Sequence, residues 1–333
     1  MKKPVVAIAI GDPNGIGPEV TLKALSEDSL RDSCRPVLVS PVSLLQPDFL
    51  MTSALRLTEI AVIGNSNPSE NEIEVLGFEL PEGFQRQPGK VAAGAGEVAA
   101  RSLAIAVQLV LQKAADAVVT APLSKKSLNL AGYHYPGQTE FLAEKTGTGE
   151  VVMVLLSADF RVGLATTHCP LVKVASLLSR KNILNKLKIL DEDLRSRFRI
   201  SNPRIAVSAL NPHAGEQGLF GSEEIEIIRP AIEMANDSGI DATGPYPADT
   251  LFARVDERKF DAYLAMYHDQ GLIPLKLKSF GRAVNYTAGL PIIRTSPDHG
   301  TAFDIAGKGV ADPGSMMEAI TLAVNLAEHS HAR

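Results

Sequence analysis

This sequence of 333 residues lacks most of the signatures from which a function can be read directly. It has only two cysteines, Cys34 and Cys169, which is too few for a disulfide framework and points to a reducing compartment, the cytoplasm. It has no surplus of positive charge. The formal net charge of −5 leaves no electrostatic footprint for nucleic acid or an anionic membrane, so any phosphate site must be a local basic cluster. No apolar run approaches the roughly 18 residues a membrane span needs. The first such run, residues 5–10, is stopped by Gly11-Asp12-Pro13 and reads as a strand rather than a signal core. There is no HExxH, no CxxC, no internal repeat and no low-complexity tract. The dinucleotide fingerprint GxGxxG is missing, because the early glycines sit at 11, 15 and 17, and no Lys-Ser/Thr follows them to make a P-loop.

What is present is an ordinary globular composition, 45% hydrophobic and 21% charged. The length favours two domains around one cleft. Apolar runs predict strands at 5–10, 36–40, 60–63, 117–120, 204–210 and 261–266, with a hairpin at 151–156 and 160–165. Helices are expected at 18–25, 91–115, from the GQTEF segment onward, at 181–199, at 222–237 with Ser222 as its N-cap, and at 313–329. Residues 65–89 read as surface connection. Strands and helices alternate, so the class is α/β with a sheet that is parallel in part.

Three histidines share a context. His168, His213 and His268 each follow an apolar strand directly or within three residues. In open α/β sheets ligands bind outside the carboxyl ends of strands. Imidazoles gathered there suit a divalent metal with positions left open for substrate. A single loop histidine is more often an ordinary hydrogen-bonded residue; the shared context of three is what raises a metal site. Cys169 reads as a small buried residue rather than a ligand. Asp249 is a loop carboxylate suited to capping, to a metal shell or to base chemistry. Asp269 and Gln270 suit support of His268 or a turn cap. Lys276, Arg282 and Arg294, with Asn285 and Thr295 among them, are the residue types that bind phosphate or carboxylate. The alternation in IPLKL would set Lys276 opposite its apolar neighbours if that stretch were a strand. Arg294 ends a strand-like run. The 11–19 turn before a helix suits either a tight turn or an anion at the helix N-terminus.

In order along the chain, GDPNGIGPE, TTHCPL, NPHAGE, YHDQGLIPLK, VNYTAGLPIIRTS and DHGTAFDIAGKG resemble the 4-hydroxythreonine-4-phosphate dehydrogenase family of vitamin B6 biosynthesis. The last segment is also similar to the loop that cradles the adenosine of NAD(P) in isocitrate and isopropylmalate dehydrogenases. The resemblance implies an isocitrate/isopropylmalate dehydrogenase-like α/β fold, with two α/β/α domains around a cleft. Residues 1–130 with 285–333 would form the cofactor side, and 131–284 the metal, substrate and dimerisation side. It implies oxidation of 4-phosphooxy-threonine by NAD or NADP with one divalent metal, Zn, Mg or Co, in a homodimer whose active site lies at the interface. Neither nucleic acid nor membrane would be a partner. His168, His213 and His268 would hold the metal, and Gln138, Thr139, Lys276, Asn285 and Arg294 the substrate. Asp249 or Lys276 would transfer protons, and Asp12, Gly15, His299, Gly300, Thr301 and Asp304 would meet the cofactor. Family members often carry His where this chain has Gln138, which keeps a donor and an acceptor but does not titrate. Related enzymes act on 4-phospho-D-threonate or 4-phospho-D-erythronate. Two other classes fit three histidines and a basic cluster, a metal-dependent phosphohydrolase and a phosphometabolite-binding protein.

Overall fold

The computed structural model describes residues 3–45, 55–64, 68–69, 71–135, 137–255, 260–279 and 281–331. The chain divides into two compact units, Met1–Gly149 with Leu290–Arg333, and Glu150–Gly289.

Unit 1 is built on β1 (Val5–Ala9), whose continuous apolar sequence is buried throughout, as a strand covered on both faces requires. It pairs in parallel with β2 (Arg35–Val39) on one side and β5 (Ala117–Thr120) on the other. Beyond β2 lie β4 (Glu72–Leu76) and β3 (Arg56–Ile60), and beyond β5 lies β12 (Ile293–Pro297), all parallel. Helix α1 (Gly17–Leu25) follows β1 with Pro18 in its first turn, and α2 (Asp28–Ser33) leads back to β2. The Ala-rich α3 (Ala93–Leu111) packs on β1, β2 and β5. Ser102 on α3 accepts from Ile10 N and donates to Val39 O, fastening the helix to two strand ends. Helices α4 (Lys125–Leu130) and α5 (Gln138–Thr146) pack on α3, while the C-terminal α11 (Gly314–His331) packs on β12, β5 and β1 with α1 and α2. Among the described residues α3 has the length and mean hydropathy of a membrane span, although Glu97 and Arg101 interrupt its apolar sequence. It is a core helix, with ten of its nineteen residues buried.

Two expectations for this unit are corrected. The stretch 65–89, read as surface connection, contains β4, with Ile73, Glu74 and Val75 buried; residues 65–67 and 70 lie outside the described ones. Two acidic residues hid the strand, and one of them, Glu74, is buried because Arg35 of β2 grips it through Nε at 2.6 Å and Nη2 at 2.8 Å. The strand expected at 60–63 lies earlier, at β3.

Unit 2 orders its strands β11 (Val284–Ala288), β6 (Val152–Ser157), β7 (Phe160–Leu164), β10 (Ala262–Ala265), β8 (Arg204–Ser208) and β9 (Asp241–Tyr246). The expected hairpin is β6 and β7, turned at Ala158 with φ 48°. β11 is antiparallel to β6, whereas β7, β10, β8 and β9 run parallel. Helices α6 (Val174–Leu177) and α7 (Arg180–Ser196) follow β7, and α8 (Arg229–Asp237) follows β8. After β9 comes the short α9 (Ala248–Ala253). The IPLKL stretch is helical rather than a strand: α10 (His268–Ser279) absorbs Pro274, and Lys276 is exposed on it. Local alternation was too short to overrule packing, since Leu272 and Leu275, three apart, are the residues that reach the core with Phe160, Val162, Leu164 and Tyr263. The expected N-cap Ser222 caps nothing with its side chain. The segment begins instead as a π-turn, Glu224–Ile228, before α8.

Candidate active site

In unit 2 the three histidines come from neighbouring parallel strands, at the same edge. His168 follows β7, His268 follows β10 and His213 follows β8. The strand ends are tied together. Thr166 Oγ1 donates to Met266 O at 2.7 Å. Gln270, buried at the start of α10, accepts from Met266 N and donates to Ala209 O, both at 2.7 Å, linking the ends of β10 and β8. The adjacency of Gln270 to His268 therefore reflects a fastening of the strand ends.

The imidazoles of His168 and His268 face one another with ring centroids 5.7 Å apart. They line an open cavity of about 400 Å³ together with Thr167, Cys169, Tyr267 and Asp269. Asp269 Oδ1 lies 2.7 Å from His268 Nδ1, the outer-sphere arrangement that fixes an imidazole's tautomer and turns its Nε2 outward. His213 is exposed on the turn Pro212–Gly218, with its ring 6.2 Å from that of Phe220. Among the described residues no three His, Cys, Asp or Glu side chains are placed to hold a metal together. The donor chemistry of His168 and His268 fits two positions of a divalent site; His213 is at the same sheet edge but outside that pair.

The turn that carries His213 is unusual. His213, Ala214, Gly215, Glu216 and Gln217 all have positive φ, between 40° and 78°. Each L-residue with a β-carbon held there costs about 1–2 kcal/mol. Backbone held so far from its preference collects at functional sites.

Asp249 lies exposed in the first turn of α9, with the Thr250 hydroxyl 3.5 Å away. Asn285 on β11 is half-buried, and its Oδ1 is buried without a hydrogen bond of normal geometry.

In unit 1 the site residues are more enclosed. Arg294 is the second residue of β12, not its end, and is 2% exposed. Its Nε and Nη2 donate to Thr120 Oγ1 at 3.2 and 2.7 Å, and Nη2 also donates to Gln138 Oε1 at 2.5 Å. Burial pushes its pKa down to about 10. Gln138, the first residue of α5, in turn donates to Ala121 O at 3.2 Å, so both ends of its amide are used. Thr139 and Glu140 follow in the first turn. Lys276 and Arg282 belong to unit 2, so the expected basic cluster is divided between the units.

The 11–16 turn is anchored on three loops. Gly11 has φ 71°, and a β-carbon on it would meet Pro122 O at 2.2 Å, so the position is confined to glycine. Ile16 N donates to Thr301 O at 3.0 Å, and Asn14 is held by Gln87 N and Lys90 O. Gly15 and Thr301 are therefore in contact. Asp12 is fully buried; burial raises its pKa, offset in part by the Ser127 hydroxyl and Asn14 N–H. Asp12 Oδ2 and His299 Nε2 are buried without a hydrogen bond of normal geometry. Groups left in this state cost about 1–3 kcal/mol each, which a bound polar ligand offsets. On that criterion Asp12 and His299 fit a cofactor. Gly300 and Asp304 lie exposed on the same loop as Thr301.

Sequence reasoning missed two members of this arrangement. Thr120 shapes Arg294 but reads only as the end of a strand. Glu224 falls at the start of the helix expected at 222–237 with nothing in the sequence to mark it, yet it is 1% exposed.

The relatives of this chain are dehydrogenases, and the chain is an oxidoreductase. It belongs to the family described as pyridoxal phosphate biosynthetic protein PdxA, whose model matches residues 32–323. The 4-hydroxythreonine-4-phosphate dehydrogenase of Geobacter metallireducens is 44% identical over 98% of this chain and 96% of its own. The D-threonate 4-phosphate dehydrogenase of Cupriavidus necator is also 44% identical, over 97% of each. The crystal structure of the Klebsiella pneumoniae 4-hydroxythreonine-4-phosphate dehydrogenase superposes with a TM-score of 0.89 at 43% identity, covering 98% of this chain and 100% of that one.

Proposed function

We propose that the chain oxidises 4-phosphooxy-threonine with NAD or NADP to 2-amino-3-oxo-4-phosphooxybutanoate, which loses CO2 to give 3-amino-2-oxopropyl phosphate, a step of pyridoxal phosphate biosynthesis in the cytoplasm. The observation that carries this reading is Arg294, buried and held in place by contacts that include Thr120 and Gln138. A guanidinium held so is suited to a doubly charged phosphate. Thr139 lies beside Gln138 at the N-terminus of α5, where backbone N–H groups favour an anion.

When bound, a divalent metal lowers the pKa of the substrate alcohol, and the nicotinamide accepts hydride. His168 and His268 are two of its ligands and Asp269 fixes the His268 ring; His213 is the third. Asp12, Gly15 and the 299–304 loop hold the cofactor. Asp249 or Lys276 moves the proton, Lys276 doing so only where it is not itself gripping phosphate. On this reading unit 1 is the cofactor side of an isocitrate-dehydrogenase-type fold, and unit 2 carries the metal.

The functional form is a homodimer. Leu171, Val172, Leu219, Phe220, Ile273 and Leu277 are exposed on the segments around the three histidines, at 48–85% exposure. Apolar side chains clustered around an incomplete site suit a surface that a second copy covers. Ligands from both copies then complete the metal set.

A second reading is favoured by the equal identity to the D-threonate 4-phosphate enzyme, namely that the substrate is 4-phospho-D-threonate or 4-phospho-D-erythronate. Both substrate classes keep the phosphate and the secondary alcohol. The test is NADH or NADPH formation at 340 nm with a panel of these acids, each with and without EDTA. Turnover of 4-phosphooxy-threonine abolished by EDTA is expected. Turnover of a phospho-aldonate alone selects the second reading, and phosphate release without reduced cofactor overturns both.

A further inference from the structure

We propose that Glu224 is a positioning residue for His213: it fixes the left-handed turn that carries the imidazole and so presets that side chain for a divalent cation. The inference rests on the reading of His213 as a metal ligand. The turn runs through six consecutive positive-φ residues, His213 to Gly218, four of which carry a β-carbon. Such a conformation persists only where the surrounding structure over-determines it.

Glu224 supplies that constraint from the following element. Its Oε1 accepts from the backbone N–H groups of both Leu210 and Asn211, each at 2.8 Å. Its Oε2 accepts from Asn211 Nδ2 at 3.0 Å, while Glu223 Oε2 takes the same amide at 2.7 Å. Leu210 and Asn211 are the residues that lead from β8 into the turn. At the turn's midpoint a β-carbon on Gly215 would lie 2.7 Å from Glu224 Oε2 and 3.0 Å from Gly221 O. One buried carboxylate therefore touches both the start and the middle of the turn. The turn is closed by Phe220 N donating to Gly215 O at 3.1 Å, and it is the Phe220 ring that lies against His213.

The π-turn belongs to the same device. Glu224 is its first residue, and the widened turn Glu224–Ile228 leads directly into α8. Two rare backbone conformations thus adjoin at one carboxylate, and π-turns are frequent at functional sites. The carboxylate is chemically specific, because it accepts at both oxygens. A glutamine in its place accepts at one atom and sets its own NH2 against the Asn211 amide.

The test uses the full-length protein stripped of metal. It is titrated with Co2+, followed by visible absorption bands and by competition with a chromophoric chelator, and thermal melts in EDTA are recorded separately. His213→Ala is expected to weaken Co2+ binding and alter the bands. Glu224→Gln is expected to weaken it about 10- to 100-fold, as for residues that orient a metal ligand, and to shift the bands in the same sense. If Glu224→Gln gives no cooperative melt, Asn211→Ser replaces it; this removes the amide held by Oε2 but leaves the carboxylate in place, and weakening of the same sign is expected. Wild-type affinity and spectrum in the folded variant, with the loss in His213→Ala intact, overturn the positioning role. Wild-type affinity in His213→Ala overturns the metal reading and this proposal together.

Discussion

Among the described residues two arginines are buried in unit 1, and the sheet treats them differently. Arg35 on β2 is 6% exposed and grips Glu74 of β4, itself 3% exposed, through two nitrogens. Arg294 on β12 is 2% exposed and donates to the hydroxyl of Thr120 and the amide of Gln138. Burial lowers its pKa to about 10. A guanidinium locked onto a carboxylate joins two strands. A guanidinium held by a hydroxyl and an amide is fixed in direction by groups that carry no charge of their own. The difference separates a cation locked onto a carboxylate from one with hydroxyl and amide contacts, although both are arginines in apolar strands.

The largest effect that would break this comparison concerns stability. Removing one partner of a buried pair leaves an uncompensated charge, so Glu74→Ala should cost about 3–5 kcal/mol in guanidinium unfolding. Arg294→Ala should cost less stability than this and more activity. A charged hydrogen bond is worth about 1.5–3 kcal/mol, so KM for the phosphorylated substrate should rise about 10- to 100-fold. An unphosphorylated analogue should be affected far less; an equal change would remove Arg294 from the phosphate. Gln138→His tests how the guanidinium is aimed. Neutral His can accept from Arg294 and donate to Ala121 O, so steady-state KM should stay within a few-fold at pH 8. At a pH below the ring's pKa, which the adjacent Arg294 cation lowers from the ordinary value, the ring gains its second proton, no longer accepts from Arg294, and KM should climb.

The smallest effect concerns a buried acid in unit 2. Burial holds the Asp193 carboxyl above its ordinary 3.8, against the lowering effect of Tyr286 OH at 2.6 Å and Gly289 N at 3.1 Å. The folded chain then keeps a proton that the unfolded chain has released. The resulting stability is complete below the unfolded value and is lost as pH rises through the higher folded value. Wild type minus Asp193→Asn in melting temperature should accordingly be greatest in acid and shrink as pH rises. Asp12 is shifted in the same direction but is unchanged in the variant, so the difference isolates Asp193.

The alternation of strands and helices was legible because β1, β5 and β6 are nearly continuous apolar runs, β7 and β8 are mainly apolar, and α3, α7 and α11 carry long helical patterns. β4 was not, because its buried Glu74 is neutralised by a residue far away in sequence. α10 was not, because Pro274 and a brief alternation pointed away from a helix that the core demands. Within the candidate site, the sharing of one sheet edge by His168, His213 and His268 followed from where each sits after its strand. The left-handed turn and the reach of Glu224 from the next element had no local signal, since only two of the six positive-φ residues, Gly215 and Gly218, are glycines. Gln138 stood out through the family resemblance, as the residue standing where members often carry His, while Thr120, the other partner of Arg294, is revealed only by the β5–β12 pairing.

The chain leaves unit 1 after Gly149 and returns to it at Leu290. β12 therefore joins β5 only once all of unit 2 has been made. On the ribosome, the opening part of the chain shows an unpaired β5 edge for as long as residues 150–289 are being synthesised. Its cationic side chain, and the helix that covers β12, arrive with the last segment to emerge. The contact of Arg294 with Thr120 and Gln138 is thus completed late, by a strand that closes a long loop, and a chain truncated before residue 290 holds Thr120 and Gln138 without it.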